Sequence, residues 1–255
     1  MFNWIRSAIG KRLANYLTKT LPGYQKFDVV PADTVASVIR PGDILLVEGN
    51  TRISIAIQYL TQSSWSHACL HVGSGNDQPD DNVLLEADLK NGVHLVPISK
   101  YTEFNIRICR PVGVSEEENR RVIEFARSKL GYQYDLKNIF DLARFLIQRP
   151  AVPNRYRRHM LAIGSGEPTR AICSTLIAQS FQFIDYPILP RKGEEFDDGE
   201  VPTFYRSHFT HYTPRDFDVS PYFQIIKPSI EKGFDYRTLQ WTVPAIDSGK
   251  PAQQE

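Results

Sequence analysis

The sequence predicts an α+β domain: an antiparallel sheet of about five strands with helices packed on one face. Three observations lead there. Short apolar runs bounded by turn residues fill residues 40–110. Helical periodicity becomes regular only from Ser115 onward. Strands come first and helices later along the chain, the order of an α+β domain.

The strands come first. Arg40-Pro41-Gly42-Asp43 is a turn signal, and the apolar run Ile44 to Val47 after it reads as a strand. Thr51 to Leu60 is expected as a short helix. Ser66 to Gly73 alternates as a strand, Ser74 to Asn82 is a polar turn region, and Val83 to Ala87 is the next strand. Asn91-Gly92 makes a tight turn into Val93 to Ile98, and Phe104 to Arg110 closes the meander.

Helices follow. Ser115 and Glu118 stand at capping-box spacing, and Val122, Ala126 and Leu130 recur every four residues up to Gly131. Leu136 to Ile147 is expected as a second helix, Arg149 to Pro168 as a surface loop, and Thr169 to about Ile184 as a third helix. The remainder carries Pro187, Pro190, Pro202, Pro214, Pro221 and Pro228 and is expected to be mostly irregular. Its aromatics, among them Tyr205, Phe209, Tyr212, Phe217, Tyr222 and Phe223, argue against disorder, so this tail is expected to wrap and complete the domain. The organisation predicted is an N-terminal helix over residues 1–24, one domain over 25–228, and a tail over 229–255 that is flexible beyond Asp247.

Composition narrows the function. Formal net charge is +1, from 30 basic and 29 acidic residues, so no basic stripe for nucleic acid is expected. Three cysteines (Cys69, Cys109 and Cys173) are too few for a disulfide framework and fit a reducing compartment. No window approaches the roughly 18 consecutive apolar residues of a membrane span. Nor does the N-terminus show a secretory pattern, so a cytoplasmic location is expected. Phe2, Ile5, Ala8, Ile9, Leu13, Tyr16 and Leu17 form an apolar stripe at helical spacing, interrupted by Arg6 and Arg12 and ended by Leu21-Pro22-Gly23. Such a helix either packs on its own domain or a partner, or makes a peripheral contact with a membrane surface.

Several residues are candidates for chemistry. Cys173 falls in the first turn of the third helix, on the face shared with Leu176, Ile177, Ser180 and Ile184. A helix N-terminus favours thiolate over thiol. The same position also suits a small buried cysteine. In the strand Ser66 to Gly73, Ala68, Leu70 and Val72 share one face, while His67, Cys69, His71 and Gly73 share the other. The small Cys69 after His67 leaves room for a helix to approach that second face. Glu86 lies within an apolar strand and either faces solvent or meets a buried partner such as His67, with Asp88 as the reserve. His67, Cys69 and His71 are also possible zinc ligands on one strand face, with no clear fourth ligand. His94, His159, His208 and His211 sit in poorly patterned contexts and read as surface or structural.

Taken together, Arg40-Pro41-Gly42-Asp43-Ile44-Leu45, Trp65 through Gly73, Leu85-Glu86-Ala87 and Gly92-Val93 are similar to the histidine half of NlpC/P60 hydrolases. Ala126 through Tyr134, followed by Ile172-Cys173-Ser174-Thr175-Leu176-Ile177, resembles their cysteine half. Here the cysteine half comes second, as in the permuted YiiX/YebB-like group and, more distantly, the lecithin:retinol acyltransferase-like proteins. Thr213-Pro214-Arg215-Asp216-Phe217-Asp218 with Ser220-Pro221 also resembles the YiiX-like group.

The resemblance implies a circularly permuted papain-like fold, with Cys173 as nucleophile, His67 as base, Glu86 as the third polar residue and Tyr134 lining the site. No cofactor and no metal are expected. Two departures stand out: the interval from Tyr134 to Cys173 is long, implying an inserted helix and loop, and Cys69 stands where a glycine is common. The implied chemistry is acyl transfer through a thioester, on amide or peptide substrates. Without an export signal, small or imported peptides are expected rather than mature cell wall, and the lecithin:retinol-like relatives imply acyl lipids instead. The rival expectation is a lipid- or small-ligand-binding module on the same fold without turnover.

Overall fold

The computed structural model describes residues 15–26, 31–75, 78–88, 90–132, 172–192 and 204–238. Helix α1 (Ala32–Val38) leads into the Pro41-Gly42 turn and then strand β1 (Ile44–Val47), all four of whose residues are buried. This strand is apolar on both sides because both faces of the sheet are covered where it lies. Gly42 adopts φ +89°, and a Cβ there would stand 1.9 Å from Asn119 Oδ1, so the turn requires glycine. Beside it the buried Asp43 accepts two hydrogen bonds from Arg110, from Nε at 2.9 Å and Nη2 at 2.7 Å.

Helix α2 (Arg52–Thr61) starts at Thr51, whose hydroxyl accepts from the Ser54 amide, and stops at Gln62 with φ 52°. Strands β2 (His67–Gly75) and β3 (Gln78–Asp88) form a long antiparallel pair. The polar stretch expected as a turn instead continues both strands, with Ser74 opposite Asn82 and Gly75 opposite Gln78. Backbone pairing satisfies the amides there whatever the side chains, so polarity alone did not mark the strand ends. A bulge between His71 and Gly73, with Gly73 at φ +89°, shifts the register.

Strands β4 (Gly92–Pro97) and β5 (Ile106–Pro111) follow, then helix α3 (Glu116–Arg127), which opens on the predicted Ser115–Glu118 capping box. Helix α4 (Ile172–Gln182) carries Cys173. Strands β6 (Arg191–Lys192) and β7 (Phe204–Tyr205) pair as a small ribbon, and helix α5 (Pro214–Asp218) precedes strand β8 (Phe223–Ile226). The main sheet has six antiparallel strands in the order β4-β3-β2-β1-β5-β8. The sixth comes from the tail, expected to be irregular. Its prolines fall outside residues 223–226, so nothing removes a ladder donor there.

Two apolar clusters flank the sheet. On one face Ile44, Leu46, Ala68, Leu70 and Leu85 pack with Val122 and Ala126 of α3 and with Leu176, Ile177 and Phe181 of α4. On the other, Leu45, Val47, Cys69, Leu84 and Ile108 pack with Val35 of α1, Ile39 and Tyr101. The cysteine helix thus lies over Ala68, Leu70 and Val72, and not over the His67–Cys69 face as the sequence had implied. Cys69 is buried on the far side, so its replacement of a glycine does not control how closely α4 approaches.

Of the N-terminal helix, residues 15–17 are helical and Leu17 is fully buried; residues 1–14 lie outside the described residues. So do the expected helix Leu136–Ile147, the loop Arg149–Pro168 and the end beyond Asp247. Among the described residues, no helix is long and apolar enough to cross a membrane.

Candidate active site

Cys173 is the second residue of α4 and is 5 % exposed. Its neighbours on the inward face, Leu176, Ile177 and Ser180, are buried and seat the helix on the sheet. The first-turn amides of a helix have no partners within it and carry the positive end of its dipole, which favours a thiolate at that end. The Ala68 backbone N–H on β2 also donates to the sulfur, and Ser174 Oγ lies 3.9 Å from it. Burial alone would push this thiol up. The charge of His67 and its side-chain hydrogen bond, with Ala68 and Ser174, outweigh burial and hold Cys173 below the ordinary thiol range.

His67 opens β2 opposite Val47 of β1, and its Nε2 lies 3.1 Å from Glu86 Oε2. That pairing leaves Nδ1 as the nitrogen to face Cys173. Burial disfavours the imidazolium, yet the neighbouring sulfurs of Cys69 and Cys173 reverse this and hold the ring well above its ordinary value. Its side chain keeps 22 % of its surface exposed, so the burial cost is partial. Cys69 is itself pushed up by burial, so of the two sulfurs beside His67 it is Cys173 whose thiol is lowered.

Glu86 is the hub of the site. Its side chain is fully buried, and Leu70 opposite Leu85 sets Cys69 beside it, with Cys69 Sγ donating to Oε2 at 3.7 Å. The Tyr101 hydroxyl donates to the same oxygen, and Lys100 Nζ pairs with Oε1. His94 Nε2 reaches Oε1 at 2.9 Å. Burial would raise this carboxyl, but His67, Lys100 and Tyr101 together hold it far below the usual carboxylate range. A carboxylate has about four lone-pair positions, and these groups approach both of its oxygens. Asp88, the reserve candidate, instead caps the β3–β4 turn, accepting from the Lys90 amide at 2.7 Å and the Asn91 amide at 2.6 Å.

His94, Lys100 and Tyr101 escaped the sequence reading. His94 had a usable signal: the Asn91-Gly92 turn sets Asp88 opposite Gly92 and therefore Glu86 opposite His94. Lys100 and Tyr101 come from the 3-10 turn Ile98–Tyr101 after β4, which has no pattern of its own. Tyr134 lies outside the described residues.

Ligand atoms of His67, Cys69 and Glu86, and separately those of Glu86, Asp88 and His94, cluster within 4.8 Å of one another. His71, considered with His67 and Cys69 as a zinc ligand, belongs to neither group. Both groups share Glu86, whose oxygens already hold an ammonium and a phenol. A divalent ion would have to displace a like charge, so these residues fit the hydrogen-bonded network better than a metal.

A sheet whose histidine strand precedes the cysteine helix is the element order expected of a permuted papain-like fold. Residues 38–144, which include His67 and Glu86 and end before Cys173, match the family model described as permuted papain-like amidase enzyme, YaeF/YiiX, C92 family. This stretch is similar to that permuted, YiiX-like amidase family, to which the broader NlpC/P60 likeness narrows. Among solved structures, metalloprotein YiiX from Escherichia coli O157:H7 is similar, at 16 % identity and a TM-score of 0.47, over 74 % of this chain and 96 % of that one. The comparison with curated proteins gave no match.

Proposed function

We propose that the chain hydrolyses an amide bond of a small peptide through a thioester on Cys173, with His67 as base and Glu86 orienting it. The observation that carries this reading is the juxtaposition of three groups: a helix-start thiol lowered by His67, and Glu86 on that ring's Nε2. Nucleophile, base and orienter in this order are the parts an acyl-transfer enzyme needs.

His67 accepts the Cys173 proton and the thiolate attacks the carbonyl carbon. The tetrahedral oxyanion meets backbone amides at the start of α4, donors of a kind each worth about 10²–10³ in rate. The C–N bond breaks as His67 gives its proton to the departing amine, leaving a thioester. Water, deprotonated by His67, then attacks the thioester, releasing the acid and returning the proton to Cys173. Glu86 keeps Nδ1 aimed at sulfur and stabilises the imidazolium between the two halves. Tyr134 would line the cleft.

The test is the pH dependence of Cys173 alkylation by iodoacetamide, followed by peptide mass spectrometry, in wild type and His67→Ala. Wild type is expected to react well below the ordinary thiol value of about 8.5. His67→Ala leaves burial against the weaker donors Ala68 and Ser174, so its reaction should shift to higher pH than wild type. Identical profiles would refute the pair. A positive result would be followed by a substrate panel of short peptides and acyl lipids, with acyl-lipid turnover alone moving the substrate class.

A further inference from the structure

We infer that His94 is a positioning residue of the Cys173–His67 pair, acting through Glu86; the inference rests on the function proposed above and adds a residue to it. Strand register places His94 directly across from Glu86, on the same face of the sheet as Cys69. Its ring is fixed at both ends. Nδ1 donates to the Gly92 carbonyl at 3.1 Å, and Nε2 lies 2.9 Å from Glu86 Oε1 and 3.7 Å from Asp88 Oδ2. Both ring nitrogens therefore face acceptors, the Gly92 carbonyl on one side and the Glu86 carboxylate on the other.

The consequence lies on the other oxygen of Glu86. Oε2 must point at His67 Nε2, and that orientation depends on what holds Oε1. Lys100 pairs with Oε1, but its side chain is long and 41 % exposed, so by itself it is a loose anchor. His94 is short, rooted in a paired strand and 25 % exposed, and it restrains Oε1 from the opposite strand. Tyr101 restrains Oε2. Glu86 therefore links two imidazoles, one on each of its oxygens: His67, which faces the thiol, and His94, which faces the rim of the site. Removing the second ring loosens the carboxylate that orients the first.

The decisive experiment compares the Cys173 alkylation profile of wild type with those of His94→Phe and His94→Gln, alongside their melting temperatures. Phenylalanine keeps the ring volume and removes both ring nitrogens; glutamine restores one N–H near the position of Nε2. His94→Phe should displace the titration upward by about half to one pH unit, a threefold to tenfold slower reaction on the low-pH limb. His94→Gln should recover at least half of that displacement. A His94→Phe profile superimposed on wild type overturns the inference. So do equal displacements in both variants accompanied by equal losses in melting temperature, since that pattern is packing alone. If wild type itself shows no limb that depends on His67, the proposed function fails and this inference with it. The wild-type and His67→Ala profiles decide that case separately.

Discussion

Glu86 Oε2 stands 3.1 Å from His67 Nε2, on the face of the sheet that does not carry the cysteine helix. His67 opens its strand, so its ring meets Glu86 on its own face and Cys173 at the start of α4. The pair therefore couples the two layers, and substituting the carboxylate should be felt at the sulfur. Glu86→Gln replaces an ionic acceptor with a neutral amide. A hydrogen bond to a charged group is worth about 1.5–3 kcal/mol, so Cys173 reactivity near neutral pH should fall by about tenfold to a hundredfold. Alkylation rates of the folded variant would show it, and a rate within twofold of wild type would refute the coupling.

Acid stability follows from the same carboxylate. Glu86 is held far below the unfolded carboxylate value of about 4.3, so the unfolded chain binds a proton at this site before the folded one does. Its contribution is thus fully present above that value and is lost as pH falls towards the folded value. Between those limits unfolding free energy should drop by about 1.4 kcal/mol per pH unit from this group alone. Urea titrations at stepped pH should show a shallower acid slope in Glu86→Gln than in wild type. Equal slopes would place the acid sensitivity elsewhere.

Helix α4 is seated by Phe181, which is fully buried and packs edge-on against Phe223 at 5.3 Å between centroids and beside Tyr186 at 5.5 Å. Phe181→Ala should cost about 3–5 kcal/mol through lost burial and an unfilled cavity. Because β8 supplies Phe223, the loss tests whether the tail strand and the cysteine helix share one core. A midpoint shift in denaturant smaller than 1 kcal/mol, on the order of an exposed-site change, would show that they do not.

At the turn before β1, Gly42→Ala meets two penalties: a left-handed φ and the Asn119 side chain. The conformational part is about 1–2 kcal/mol; the clash adds to it. In an Asn119→Ala background the clash vanishes and only the conformational part should remain. A double-mutant cycle by thermal melts measures the difference, and strict additivity would contradict the contact.

Much of this was legible in the residues. The capping box at Ser115–Glu118, the strand Ile44–Val47, the short helix near Thr51 to Leu60 and the two faces of the His67 strand all rest on local rules. These are helix capping, apolar run length and the two-residue period of a strand. Cys173, His67 and Glu86 were identifiable as candidates because thiol, imidazole and carboxylate each stood at a distinctive place in its own element. The chain order of those elements also carried the permuted class.

What the residues alone left open was how the elements meet. Alternation divides a strand into two faces without saying which one a distant helix covers, and α4 took the Ala68 face because its Leu176, Ile177 and Phe181 required apolar partners. His94, Lys100 and Tyr101 converge on Glu86 only through strand register and a short 3-10 turn. The sixth strand formed from a proline-rich tail because β5 offered an unpaired edge beside it. Local chemistry is written residue by residue and is readable there. Which buried carboxylate gathers which donors depends on long-range packing, and only the tertiary structure decided it.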